Sequence, residues 1–95
     1  MNFPKPKKWR SKRYREWVAR QPSMLSGAID RNVPHHHRKG TDGGTGIKPS
    51  DLYCVPLTYN EHILVHSGQL SIESEHALRV IVNQAIEYLI ERGVK

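Results

Sequence analysis

Only one cysteine, Cys54, occurs in the 95 residues, no apolar run approaches the length of a membrane span, and acidic side chains are scarce in the first half. The lone thiol excludes an internal disulfide and any zinc cluster built from cysteines. Lying in an apolar run, Cys54 reads as a small buried hydrophobe rather than a nucleophile. A spanning helix needs roughly 18 or more apolar residues, and the first residues lack the apolar core of a secretory signal. The expectation is therefore a cytoplasmic protein with no membrane partner. At 95 residues and 37% hydrophobic, the chain has room for one domain with a marginal core. Bound metal, nucleic acid or a second subunit would add stability.

What is abundant is positive charge. Residues 1–48 carry twelve Lys/Arg against three Asp/Glu, and residues 49–95 three against six, within an overall +6. One basic half suits a polyanion, because neutralising phosphates releases condensed counterions. An anionic membrane surface fits less well, since Pro4 and Pro6 interrupt the basic segment and no long apolar face accompanies it.

The pattern along the chain predicts an α+β domain. Residues 1–10 read as a basic flexible arm and residues 11–95 as a single domain, with its core at about 23–68. Ser11 can cap a short helix over 11–20, with Tyr14, Trp17 and Val18 on its apolar side, before Pro22 ends it. A turn near Ser26-Gly27 leads to a strand over Ile29–Val33 and into the histidine run. Residues 38–50, with four glycines and a proline, form a loop. Leu52–Leu57 is a short strand, and Tyr59–Ser67 a helix stopped by Gly68. An amphipathic C-terminal helix spans about 72–92, capped by Ser71 or Ser74. Its stripe of Leu78, Ile81, Val82, Ala85, Ile86 and Leu89 packs on the core or on a second subunit, which leaves a homodimer open.

Five of the six histidines are His35-His36-His37 and the pair His62-x-x-x-His66. Residues four apart share a helix face, so two imidazoles can hold one ion, and a strand ending nearby can add a third. Neighbouring strand residues face opposite ways, so of two adjacent histidines one can bind the ion while the other acts as general base. One cation and one base are the minimum equipment for phosphodiester hydrolysis.

The stretch HHHRKGTDGGTGIKPSDLYCVPLTYNEHILVH resembles the phage-encoded HNH (His-Me finger) endonucleases, the group of the recombination-enhancement nuclease and its prophage relatives. Their pattern has the form HH…GGxGxKxxDLxxxPLCxxCHxxxH, and the likeness runs from about Trp9 to His66. The resemblance implies a small ββα-metal core flanked by an N-terminal and a C-terminal helix, and metal-dependent cleavage of DNA in phage or prophage recombination or repair. A recombinase filament is then a candidate partner. It further implies that His35, His62 and His66 hold one divalent ion (Mg, Mn, Zn or Ni), that His36 is the general base, and that Asp51 braces the loop or orients that base. The spacing to Gly43-Gly44 favours this register; the alternative, with His36 as ligand and His37 as base, stays open. Relatives often carry a structural zinc on two cysteine pairs. The corresponding positions here are Ser23, Ser26, Thr58 and Glu61, so no structural zinc is expected. Packing by Met24, Leu25, Ile29, Leu57 and the C-terminal helix would replace it. A DNA-binding module that keeps the scaffold without the activity is the alternative reading.

The glycine-rich loop lacks the spacing and the Lys-Ser/Thr ending of a P-loop; its glycines would let a DNA backbone approach closely. Lys5, Lys7, Lys8, Arg10, Lys12, Arg13 and Arg15 are expected to contact phosphates, with Arg38, Lys39 and Lys48 gripping the strand beside the histidines. Trp9 would stack on a base or anchor the arm, and Trp17 belongs in the core.

Overall fold

The computed structural model describes residues 8–38 and 48–92. Within them the chain is a small α+β domain with three helices and one two-stranded antiparallel sheet. The order is α1 (Lys12–Ala19), β1 (Val33–His36), a 3-10 turn (Asp51–Tyr53), β2 (Cys54–Leu57), α2 (Tyr59–His66) and α3 (Ser74–Glu91). No helix among these residues is long and apolar enough to cross a membrane.

Ser11 starts α1 as expected: its backbone is extended and its hydroxyl accepts the Tyr14 N–H at 3.1 Å, which satisfies one of the orphan donors of the first turn. Tyr14, Trp17 and Val18 are buried at helical spacing. They pack on β2, whose four residues are all buried. Each such aliphatic or aromatic side chain contributes roughly 1.5–3 kcal/mol on leaving water. Tyr88 of α3 closes this cluster edge-on to Tyr14, with ring centroids 4.9 Å apart, and the Trp17 indole N–H donates to the Glu91 carboxylate. Gln84 donates to the Cys54 carbonyl at 2.9 Å and so fastens α3 to the strand.

Both strands start later than the apolar pattern predicts. Ile29 is 81% exposed, and β1 begins at Val33 because the backbone before it is bonded elsewhere. The Ser23 hydroxyl accepts the N–H groups of Leu25 and Ser26, and Gly27 takes a positive φ of 75° that favours glycine in this turn. The buried Asn32 side chain donates to the Gln21 and Ala28 carbonyls, and its own N–H reaches the Ala19 carbonyl. Likewise Leu52 lies in the 3-10 turn rather than a strand, closed by Tyr53 N–H to Ser50 O at 3.0 Å. The register pairs Val33 with Leu57, Pro34 with Pro56, His35 with Val55 and His36 with Cys54.

Two further expectations need correction. α3 starts at Ser74 with Glu73 at its cap position and no side-chain cap, because the Ser74 hydroxyl is bonded to His37 instead. Its inward side is Ala77, Ile81 and Gln84; Val82, Ile86 and Leu89 of the predicted stripe are exposed. The arm is not loose throughout either. Trp9 N–H donates to Ser50 Oγ, and Asp51 N–H to the Trp9 carbonyl.

Ser23, Ser26, Thr58 and Glu61 meet in space. Ser23 Oγ donates to Glu61 Oε1 at 2.5 Å, and the same oxygen accepts Thr58 N–H at 2.8 Å. The Thr58 hydroxyl accepts Glu61 N–H at 3.1 Å, completing a capping box at the start of α2. Burial would raise the Glu61 pKa, but hydrogen bonds from Ser23, Thr58 and Ser26 outweigh it and hold the carboxyl below its usual range. Leu25 and Ile29, expected to pack here, are exposed; charge-assisted hydrogen bonds join the 23–28 turn to α2 instead. Glu61→Ala should therefore cost about 1.5–3 kcal/mol, and Glu61→Gln, which keeps an acceptor, clearly less. Thermal unfolding followed by circular dichroism measures both, and equal stabilities for the two variants would refute this role.

Candidate metal and nucleic-acid site

The single-residue link at Thr58 turns the chain from β2 directly into α2 and brings one face of that helix against β1. His62 and His66 lie a turn apart on that face, and His35 meets them from the strand. The ring centroids are 5.3 Å apart for His35–His62, 5.7 Å for His35–His66 and 4.4 Å for His62–His66. One nitrogen from each ring lies within 4.8 Å of the other two, a grouping tight enough for all three to face one ion, whose nitrogen ligands sit about 2.0–2.1 Å from it. Burial, then the neighbouring His62 and His66, pushes the His35 pKa down to about 4. Burial and His66 push His62 down as well. Neutral rings keep the lone pairs a cation requires. His62 Nδ1 is buried without a hydrogen-bond partner, an orphan that a bound ion would satisfy. Three nitrogen donors suit a transition-metal ion better than magnesium.

His36, one residue on, turns the other way. Its Nε2 lies 2.8 Å from Asp51 Oδ1 and 3.3 Å from Cys54 Sγ. Asp51 is fully buried and its carboxylate is crowded with donors. Oδ2 accepts Ser11 N–H at 2.7 Å and Arg15 Nη1 at 2.5 Å, while Arg10 Nη1 lies 3.4 Å from Oδ1. Burial would raise the Asp51 pKa, but the bonds from His36, Ser11 and Arg15 prevail and hold it below the usual carboxylate range. An ionised carboxylate only accepts, so His36 Nε2 carries the proton and Nδ1 is the basic nitrogen. Burial also lowers the His36 pKa; Asp51 opposes this, and Lys48 and Arg10 add to it. His36, Asp51 and Cys54 are close enough to form a second ligand group. That arrangement is unsuited to an ion, because both Asp51 oxygens are engaged and burial pushes the Cys54 thiol up to about 12.

The His triad and His36 line one cleft of about 710 Å³ together with Arg15, Arg38 and Lys48. Arg38 and Lys48 are thus beside the histidines, as expected. Arg10 and Arg15 are not free for phosphate. Arg10 donates to the carbonyls of Pro49 and Lys48 and faces Asp51, and Arg15 is paired with Asp51. Lys12 and Arg13 are exposed on α1, and Lys8 is half-buried. Lys5, Lys7, Lys39 and the glycines of 40–46 lie outside the described residues. His37 is buried, with Nε2 3.0 Å from Ser74 Oγ, and joins β1 to α3 rather than the cleft.

The pairing of Arg15 with Asp51 was not legible beforehand. Ser11 and Arg15 share a helix face by their four-residue spacing, but no local pattern says which buried group that face meets. The contact of Cys54 with His36 follows from strand register and is equally invisible locally.

The chain is 32% identical over 95 residues to the uncharacterized protein YdfU of Escherichia coli (strain K12), a match covering 99% of this chain and 27% of YdfU. It therefore spans about a quarter of that relative's length. No solved structure matches it. The model of a family described as a protein of unknown function (DUF968) matches residues 1–93, and with nearly the whole sequence covered, this chain belongs to the DUF968 family.

Proposed function

We propose that this chain is a metal-dependent DNA endonuclease of the HNH type, with β1, β2 and α2 as a ββα-metal core. The observation that carries the reading is the convergence of His35, His62 and His66 on one point, with His36 beside them in the same cleft and backed by Asp51. A divalent cation held by the three imidazoles would stabilise charge on a phosphate oxygen and on the leaving 3′-oxygen. His36 Nδ1 takes the proton of the attacking water. Asp51 fixes the tautomer and steadies the imidazolium that results. Arg38 and Lys48 grip the flanking phosphates, and Lys12 and Arg13 extend the basic surface along α1. His37, engaged with Ser74, supports the register in which His35 is ligand and His36 is base. The likeness to phage nucleases extends the proposal to phage or prophage recombination or repair, with a recombinase filament as a partner.

Cleavage of supercoiled plasmid and of single- and double-stranded oligonucleotides in manganese, nickel, zinc or magnesium tests this reading. The expected result is nicking that requires an ion and stops with chelator. Chelator-resistant nicking, or DNA binding that falls steeply with salt but never leads to cleavage under any ion, would refute it. The second outcome would identify a binding module on the same scaffold.

A further inference from the structure

α3 is apolar on two sides, and the domain covers one of them. Ala77, Ile81, Gln84 and Tyr88 face the core. On the other side Val82, Ile86 and Ile90, spaced four apart, form a continuous ridge with Leu89 next to it; they are 56, 51, 71 and 50% exposed respectively. A helix apolar on opposite faces needs two neighbours. Leu89 is also one wall of an apolar cavity of about 300 Å³ whose other walls include Trp9, Leu52, Tyr53 and Ala85. Trp9 and Leu52 are themselves exposed large hydrophobics, so ridge and cavity make one surface.

From this we infer that the outer face of α3 is the contact surface for a second copy of this chain. The area argues for it. The six exposed side chains present on the order of 500 Å², as large as the biggest apolar patches monomers tolerate. Two copies would remove roughly 1,000 Å², the threshold of a specific interface. The shape argues for a twin rather than another partner. A ridge with i, i+4 spacing interdigitates with an identical ridge at a crossing near −50°, and a two-fold axis sets the same patch against itself. An antiparallel pairing centred on Ile86 places Val82 against the partner's Ile90 and leaves Leu89 to close the cavity edge. Charge limits the register on one side: the Glu75–Arg79 ion pair bounds the ridge at its N-terminal end, so a slip of one turn toward that end would press Ile90 onto charged groups. The inference stands apart from the nuclease reading, since none of these residues lines the histidine cleft.

Sedimentation equilibrium of the full chain should show a reversible monomer–dimer equilibrium. Ile86→Glu should weaken it by roughly tenfold or more while leaving far-ultraviolet dichroism unchanged. Ile86→Cys, at the axis, should form a disulfide-linked dimer under mild oxidation much faster than a Glu16→Cys control on α1, with buried Cys54 silent. Wild-type protein that stays monomeric at hundreds of micromolar would overturn the inference, as would undiminished dimerisation of Ile86→Glu. If Ile86→Glu does not fold, the cross-linking rates decide, and equal rates for the two cysteine variants overturn it.

Discussion

On the proposed nuclease reading, replacing His36 with alanine is expected to lower DNA cleavage by about 10²–10⁴-fold, the range of a positioned general base, with metal and DNA affinity close to wild type. The separation follows from the layout. His36 belongs to the cleft but not to the His35–His62–His66 cluster, because adjacent strand residues point to opposite sides. Burial lowers its pKa below the ordinary 6.5 despite Asp51, so the ring is neutral and basic at pH 7. Cleavage by the wild type should therefore rise with pH along a limb that lies below 6.5 and then level off, since the unprotonated ring is the active form. The alanine variant should lose that limb. A plasmid-nicking series across pH, with calorimetric titration of manganese, measures all of it. Full activity in the variant would show that another group takes the proton.

The largest expected loss of stability is at Asp51. The fully buried carboxylate answers four donors at once: Ser11 N–H, Arg15, Arg10 and His36. Removing one partner of a buried pair costs about 3–5 kcal/mol, against a total of roughly 5–15 kcal/mol for a domain. Arg10 and Arg15 are each about a third exposed and can turn toward water, so Asp51→Ala should fall near the lower end. For a chain of this size that means a midpoint about 12–24 °C lower. Asp51→Asn keeps an acceptor for Ser11 and should lose much less. The pH dependence has a definite sign. With its folded pKa below the ordinary 3.8, Asp51 adds stability that is complete above that value and disappears as pH falls through the lowered one. The alanine variant should unfold without this acid limb. Urea titrations at several pH values test it, and a loss under 1 kcal/mol for Asp51→Ala would show that the carboxylate is dispensable.

Legibility varied with the range of the interaction. The capped start of α1, the Gly68 stop of α2, with its φ of 79°, and the existence of α3 all rest on neighbours within a turn, and the pattern revealed them, though not which side of α3 is buried. The starts of β1 and β2 did not follow the apolar run, because the Asn32 side chain ties the backbone before β1 to Gln21 and Ala28, and the Ser50 carbonyl closes the 3-10 turn before β2. Ile29 reads as a strand residue in isolation but lies in the open, its apolar character outweighed by the turn that Ser23 and Gly27 impose. In the site, spacing marked the pair His62 and His66 and the run His35–His37, and the resemblance singled out His35 and His36 within that run. That Arg10 and Arg15 hold Asp51 rather than phosphate required the position of α1 against the 3-10 turn.

By itself, then, the sequence determined the α+β class, the Ser11 cap of α1, the Gly68 stop of α2 and the histidine pair and run, since hydrophobic period, capping and i, i+4 spacing are short-range and survive in any packing. Tertiary structure alone decided which cations serve the interior, which side of α3 meets the core, and how Ser23, Thr58 and Glu61 come together. Those choices depend on long-range contacts between residues tens of positions apart, and a buried charge draws its partners from whatever elements the fold sets around it.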